Sequence, residues 1–220
     1  MKEFEKMRNG LLYNPTEKEI MLKHLRALRI CEKYNKTSVI RVFKQRKLLK
    51  KLIPNLPKNI AIMTPFHAEY GENLSIGEDF FSNFNCMFLD VAKITIGKGV
   101  MLGPNVTIAT PMHPLLARER VIQDYPSGHH DLEYAKPITI EDNVWIASGA
   151  TICGGVRIGK NSIVGAGSVV LSDIPENVLV GGVPARIIRT LDEKDKLDIW
   201  NTYSNEKMPI SQRDFEKNQK

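Results

Sequence analysis

Residues 138–170 read ITIEDNVWIASGATICGGVRIGKNSIVGAGSVV, and in them an aliphatic side chain returns at every sixth position: Ile140, Ile146, Ile152, Ile158, Val164 and Val170. An earlier run keeps the same step at Ile96, Leu102 and Ile108. A helix repeats near 3.6 residues and a plain strand near 2, so neither produces this beat. A period of six belongs to a parallel β-helix, in which each coil is a triangle and each side is one short strand and a turn. Three sides make a coil of about 18 residues, so Ile140 should stack on Ile158. The aliphatic residue points into the shaft. The Gly, Asn or Asp that follows is expected to take the corner, where positive φ is cheap for those residues.

Working outward, residues 58–190 carry this pattern as one β-helix, broken once. From Ile108 to Ile140 the step is not a multiple of six, and the interruption at 109–137 holds Pro111, Pro114, Pro126, Gly128 and three of the five histidines. A long loop inside a regular solenoid is usually functional. Residues 1–57 read as a helical hairpin. Thr16-Glu17-Lys18-Glu19 fits a capping box, with Ile20, Met21, Leu25 and Leu28 following at helical spacing. From about Ser38, Val39, Val42, Phe43, Leu49, Leu52 and Ile53 line one side of a second segment. Lys44, Arg46, Lys47, Lys50 and Lys51 crowd its other sides, and Pro54 and Pro57 end it. Residues 191–220 read as a short helix and tail. The fold class is thus mostly β: a parallel β-helix with an N-terminal helical hairpin and a short C-terminal helix.

Composition excludes some classes. No run of 18 apolar residues exists, so no membrane span is expected, and charged Met1–Gly10 has no apolar core of a leader. Cys31, Cys86 and Cys153 are far apart and odd in number, which fits unpaired thiols in a reducing cytoplasm. The net charge of +6 is uneven: residues 1–60 hold 16 Lys and Arg against 5 Asp and Glu, and the remainder 15 against 20. Such an excess fits a solvated helical face, and equally a polyanion partner such as nucleic acid, a membrane surface or a phosphorylated cofactor.

Five groups of residues are suited to chemistry. His113, in Thr110-Pro111-Met112-His113-Pro114, enters the loop between stiffening prolines; imidazole titrates near neutrality and is the usual general base, though a histidine can also merely brace a loop. Asn83 and Asn85, with Asp90 beyond, can hydrogen-bond sugar hydroxyls or hold a turn. Glu133 can hold a histidine in one tautomer or simply be solvated. Trp145 precedes an inward aliphatic and should point outward, while Ser148 can present a backbone N–H to an acyl oxygen. Arg186 and Arg189, beside Gly181-Gly182-Val183-Pro184-Ala185, can grip phosphates or cap the last coil.

The sequence resembles the galactoside, maltose and nodulation-type O-acetyltransferases of the hexapeptide-repeat superfamily. The segments that carry the resemblance run from Met7-Arg8-Asn9-Gly10-Leu11-Leu12-Tyr13 through Asn83-Phe84-Asn85, Met112-His113-Pro114, Leu132-Glu133-Tyr134 and Asn143-Val144-Trp145-Ile146 to Gly182-Val183-Pro184-Ala185-Arg186. It implies a left-handed β-helix, against the usual right-handed crossover. It also implies a homotrimer with active sites between subunits, acetyl-CoA as donor, a small sugar or glycoside as acceptor, and no metal or nucleic acid. By position it implies His113 as general base and Asn83 at the acceptor and acetyl group. Glu69, Asp90, Glu133 and Asn14 fall on the acceptor side. Trp145, Ser148, Ala166, Leu171 and Ser172 fall along the pantetheine, with Arg186 and Arg189 at the CoA phosphates. Asn14-Pro15 stands where the type has an acid after its tyrosine, and Asp90-Val91 where the galactoside enzymes have two acids, so the preferred sugar is not fixed. Other readings are an acyltransferase for serine, an aminosugar nucleotide or an antibiotic, a zinc carbonic anhydrase using His113, His129 and His130, and a non-enzymatic scaffold.

Overall fold

In the computed structural model, residues 1–197 and Ile199 are described. Met1–Thr190 form one compact unit and Leu191 onward a second. In the second, Glu193–Asp195 make a single 3-10 turn, its N-cap Asp192 accepting from the Lys194 N–H; the helix and tail expected farther on lie outside the described residues, Ile199 apart. No described helix is long and apolar enough to cross a membrane.

The first unit is a three-faced parallel β-helix with helices against its N-terminal part. In chain order, the first face carries Ile60–Ile62, Phe80–Ser82, Met101–Leu102, Trp145–Ile146, Ile163–Val164 and Val178–Gly181. Arg186–Thr190 closes that face antiparallel to Val178–Gly181. The second face carries Phe66–Ala68, Cys86–Leu89, Thr107–Ala109, Thr151–Cys153 and Val169–Val170. The third carries Leu74–Ile76, Ile94–Ile96, Ile138–Ile140 and Arg157–Ile158. The six-residue beat is the shaft: Ile96, Leu102, Ile108, Ile140, Ile146, Ile152, Ile158, Val164 and Val170 are all buried. Ile140 does pair with Ile158, and Trp145 does point outward, 46% exposed.

Coil length is not constant at 18. Leu74 pairs with Ile94 and Phe66 with Cys86, 20 residues apart; Val164 pairs with Val180, 16 apart. The extra residues of the early coils sit at the edge between second and third faces, at 69–73 and 89–93. The long loop leaves from that same edge, so Ile94 pairs with Ile138, 44 residues on.

The corners also divide their work differently from expectation. Positive φ falls on the third residue after the inward one, as at Asp79, Asn105, Asn143 and Asn161. The glycine directly after the aliphatic serves close approach instead. A Cβ on Gly159 would lie 2.5 Å from the Glu176 nitrogen of the next coil. Along the edge between third and first faces, Asn143 Nδ2 donates to Asn161 Oδ1 (3.1 Å) and Asn161 Nδ2 to Asn177 Oδ1 (2.9 Å), a side-chain ladder that ties successive coils.

Helices α1 (Glu3–Arg8), α2 (Lys18–Asn35) and α3 (Val42–Leu52) precede the solenoid. The N-cap of α2 is Glu17, which accepts from the Glu19 and Ile20 amides, and not Thr16, whose hydroxyl donates to Asn14 Oδ1. The buried face of α2 is Ile20, Ala27, Cys31 and Tyr34; Met21, Leu25 and Leu28 are exposed. In α3 only Leu49 and Leu52 are buried, and with Ile53 they join the shaft core, while Val39, Val42 and Phe43 face water. Helical periodicity alone misassigned these faces because what covers a helix is set by the end of the solenoid, which needs few side chains. Tyr34 donates its hydroxyl to the Ile62 carbonyl on the first face, and Asn35 brackets the Phe66 backbone, so α2 satisfies backbone groups of the first strand of each of these two faces.

Candidate active site

The edge between second and third faces gathers most of the ionisable residues expected at the site: Glu69, Asp90, His113 and Glu133. Its frame is Asp90, fully buried. Oδ1 accepts from the Glu69 (3.1 Å) and Tyr70 (2.9 Å) amides, and Oδ2 from the Asn73 amide (3.2 Å). Asn73 Nδ2 donates in return to the Asp90 and Val91 carbonyls. Below it, the Thr110 hydroxyl donates to the Leu89 carbonyl and accepts from the Ala92 amide. These bonds let two widened coils and the loop root stack without leaving backbone groups unpaired. Burial pushes the Asp90 carboxyl up to about 7 against the backbone amides that pull it down.

The loop starts as a strand pair, Pro111–Met112 against Tyr134–Ala135, which holds its two ends together. His113 and Glu133 follow on opposite strands at the same end of that pair. His113 Nε2 lies 3.9 Å from Glu133 Oε1, and Glu133 Oε2 accepts from the Tyr13 hydroxyl at 2.6 Å. Tyr13 and Glu133 also exchange backbone hydrogen bonds. Tyr13 packs with Phe4, Met7, Ile20, Tyr70, Val91 and Ala92, so α1 and the start of α2 clamp the loop onto the widened edge. Burial, and then the neighbouring Glu133, drive the Tyr13 phenol far above its ordinary pKa, so it is a donor at any working pH. Glu69 sits on the same edge, 3.9 Å from His24; burial first, then Asp90 and Glu133, push its carboxyl up to about 7. Asn14 is beside Tyr13, its amide N–H donating to Glu3 Oε2 and its side-chain oxygen holding Thr16.

Tyr13 and Asp131 carry no local sequence signal for the site. Asp131, Glu133 and His113 bring ligand-type atoms within 4.8 Å of one another. The three histidines of the zinc reading do not meet in this chain. His129 pairs with Asp124 at 2.9 Å, and His130 is buried against Ser127, the Asp131 carbonyl and the Tyr125 ring.

The remaining expected residues lie elsewhere. Asn83, Ser148 and Ala166 occupy the edge between first and second faces, Ser148 and Ala166 in successive coils and Asn83 two coils before Ser148, and Trp145 lies on the outer side of the first face just before that edge. Asn83 Oδ1 accepts from the Phe84 amide. Ser148 and Ala166 are exposed, and among the described residues their backbone N–H groups meet no acceptor. Leu171 and Ser172 are exposed beside the second–third edge of the last full coil, and Arg186 and Arg189 lie on the closing strand of the first face. Within one chain, therefore, His113 and Ser148 stand on different edges of a prism.

Two family patterns match the chain. Residues 6–57 match the maltose acetyltransferase hexapeptide capping motif, and residues 137–172 the bacterial transferase hexapeptide with its six repeats. The galactoside O-acetyltransferase of Escherichia coli is 36% identical over 207 residues, covering 92% of this chain and 96% of the enzyme. A maltose O-acetyltransferase from Clostridium difficile is similar in structure, with a TM-score of 0.81 and 39% identity over 88% of this chain and 99% of that one. A hexapeptide-repeat acetyltransferase from Vibrio cholerae, solved with acetyl-CoA, gives a TM-score of 0.78 and 37% identity over 88% of this chain and all of that one.

Proposed function

The chain belongs to the hexapeptide-repeat acetyltransferases that include the galactoside and maltose enzymes, and it is an acetyl-CoA-dependent O-acetyltransferase; from that premise we propose that a sugar hydroxyl is the acceptor and that His113 is the general base of a direct transfer. The observation that carries the reading is the line His113–Glu133–Tyr13. Glu133, held by Tyr13, stands 3.9 Å from His113 Nε2, placed to orient the ring so that its other nitrogen is offered to the acceptor. Bound acetyl-CoA supplies the acetyl thioester. His113 takes the proton of the acceptor hydroxyl as the new C–O bond forms and the C–S bond breaks, then returns it to the departing sulfur. Charge that develops on the acetyl oxygen is met by the unpaired Ser148 N–H.

We infer the assembly from the same geometry. The base edge and the N–H edge of one chain cannot face each other, so the site needs two copies. A contact between unlike edges is heterologous and closes only as a ring. Three copies suit a three-sided prism, which supports a homotrimer with its sites between subunits. In it, Asn83 and Ser148 of one copy address the acetyl group beside His113 of the next. Trp145, Ala166, Leu171 and Ser172 border the pantetheine, and Arg186 and Arg189 meet the phosphates. Glu69, Glu133 and Asn14 border the acceptor, with Asp90 acting through the backbone it holds. The unpaired cysteines fit a cytoplasmic enzyme.

The test is acetyl-CoA-dependent thiol release across glucosides, galactosides, maltose, chitin oligomers, serine and an amphenicol. His113→Ala should lose roughly 10²–10⁴-fold in turnover on the accepted sugar. Full activity in that variant, or turnover confined to serine or the amphenicol, would sink the reading.

A further inference from the structure

The acetyl transfer gives no use to the basic excess of the N-terminal region. Between Glu32 and Glu69 the chain holds nine Lys and Arg and not one Asp or Glu. The inner side of α3 is spent on the core through Leu49 and Leu52. Its outer side carries Lys44, Lys47, Lys50 and Lys51, all exposed, and with Arg41 none of them has an acidic partner among the described residues. Ahead of this cationic face stands an apolar tip. Val39 is 63% exposed, Ile40 85%, Val42 61% and Phe43 92%. Val39 and Val42 border a shallow cleft against residues 60–64, whereas Ile40 and Phe43 are not among the residues that line it. Lys47 and Lys50 follow Phe43 at i+4 and i+7, so the aromatic tip and the cations share one side of α3.

Four large apolar side chains held in water within five residues mark a contact surface. Apolar residues flanked by unpaired Lys and Arg on an amphipathic helix are the pattern of a segment that lies in a lipid interface. We propose that the Val39–Phe43 tip and the outer face of α3 dock on an anionic phospholipid surface, with Ile40 and Phe43 entering the headgroup layer and the lysines meeting lipid phosphates. Charge complementarity selects this occupant. A second copy seated tip to tip would bring the same unpaired cations against each other. A nucleic acid would engage the lysines but leave Ile40 in water. An anionic bilayer satisfies both parts of the surface at once.

The experiment uses the intact protein, sedimented with vesicles of phosphatidylcholine alone or mixed with phosphatidylglycerol. Binding is expected with the mixed vesicles and not with the neutral ones. It should weaken at least about tenfold as salt rises from ~0.1 M to ~1 M and the Debye length falls from about 10 Å to about 3 Å. The double variant Ile40→Ser, Phe43→Ser should lose at least about tenfold in binding while its elution volume and its turnover on a soluble acceptor stay unchanged. Three results would overturn the proposal: no sedimentation with anionic vesicles at low salt, equal binding by the double variant, or a changed elution volume in that variant, which would make the tip a protein interface.

Discussion

The Tyr13 hydroxyl donates to Glu133 Oε2 at 2.6 Å across 120 residues of chain, and the same Glu133 faces His113 with its other oxygen. A residue from the N-terminal helical region thereby sets the position of a carboxylate in a loop of the solenoid. The helical region is part of the candidate site and more than a cap.

Tyr13→Phe keeps the packing of the ring and removes only the donor. A hydrogen bond to a charged group is worth about 1.5–3 kcal/mol. If most of that is felt when His113 carries the proton, kcat should fall roughly tenfold to a hundredfold, with KM for acetyl-CoA little changed. Steady-state kinetics at saturating acceptor decide it; an unaltered kcat would mean that Glu133 is held well enough by its backbone bridge to Tyr13.

Asp90→Ala should be among the most damaging single changes in the fold. It orphans the buried amides of Glu69, Tyr70 and Asn73 at the root of the loop, and each buried unsatisfied group costs about 1–3 kcal/mol. A loss of at least about 3 kcal/mol is expected in urea unfolding. Asp142 makes the same kind of bond to the Lys98 amide at an exposed corner, 2.8 Å long. Asp142→Ala should cost less than about 1 kcal/mol there, since water replaces the acceptor.

The corners offer a paired test of what each glycine does. Gly159→Ala drives a Cβ to within 2.5 Å of the next coil's backbone, and overpacking of this kind costs about 1–3 kcal/mol or more because backbone must move. Gly167 has φ +67 and open space around it. The equivalent place on the same edge of earlier coils is taken by Asn85 and Asn105, so Gly167→Asn should stay within about 1 kcal/mol of the native protein. Thermal melts of both variants check the pair; comparable losses would refute the division of labour.

The shaft was legible because one inward residue per six is a local rule, repeated often enough to fix the register of Ile140 on Ile158. The outward Trp145 followed from alternation alone. What could not be read was whatever depends on distant partners. Leu25 and Leu28 obey helical periodicity yet stay exposed, since it is Ala27, Cys31 and Tyr34, with Ile30 in part, that reach the solenoid end. Glu17 caps α2 in place of Thr16 because Asn14 claims the threonine hydroxyl. In the candidate site, His113 and Glu133 stood out as the ionisable residues flanking a proline-rich break. Tyr13 did not, because its place is set by a bridge to Glu133, 120 residues on.

Glu69 should make the protein less stable as pH rises. Burial first, then Asp90 and Glu133, lift its carboxyl to about 7, from an ordinary value of about 4.3 when unfolded. Between those values the folded chain binds the proton and the unfolded chain does not, so stability is full below the unfolded value and is lost as pH rises through about 7. Asp90, lifted to about 7 as well, adds a slope of the same sign. His24, 3.9 Å away and depressed by burial, adds the opposite slope as it loses its proton. The difference between native protein and Glu69→Gln isolates the one group. Melting temperatures from pH 5 to pH 8 should fall more steeply for the native chain, and the variant should gain on it most at pH 8. Parallel curves would show that Glu69 keeps its charge in the fold, with solvent or His24 compensating it.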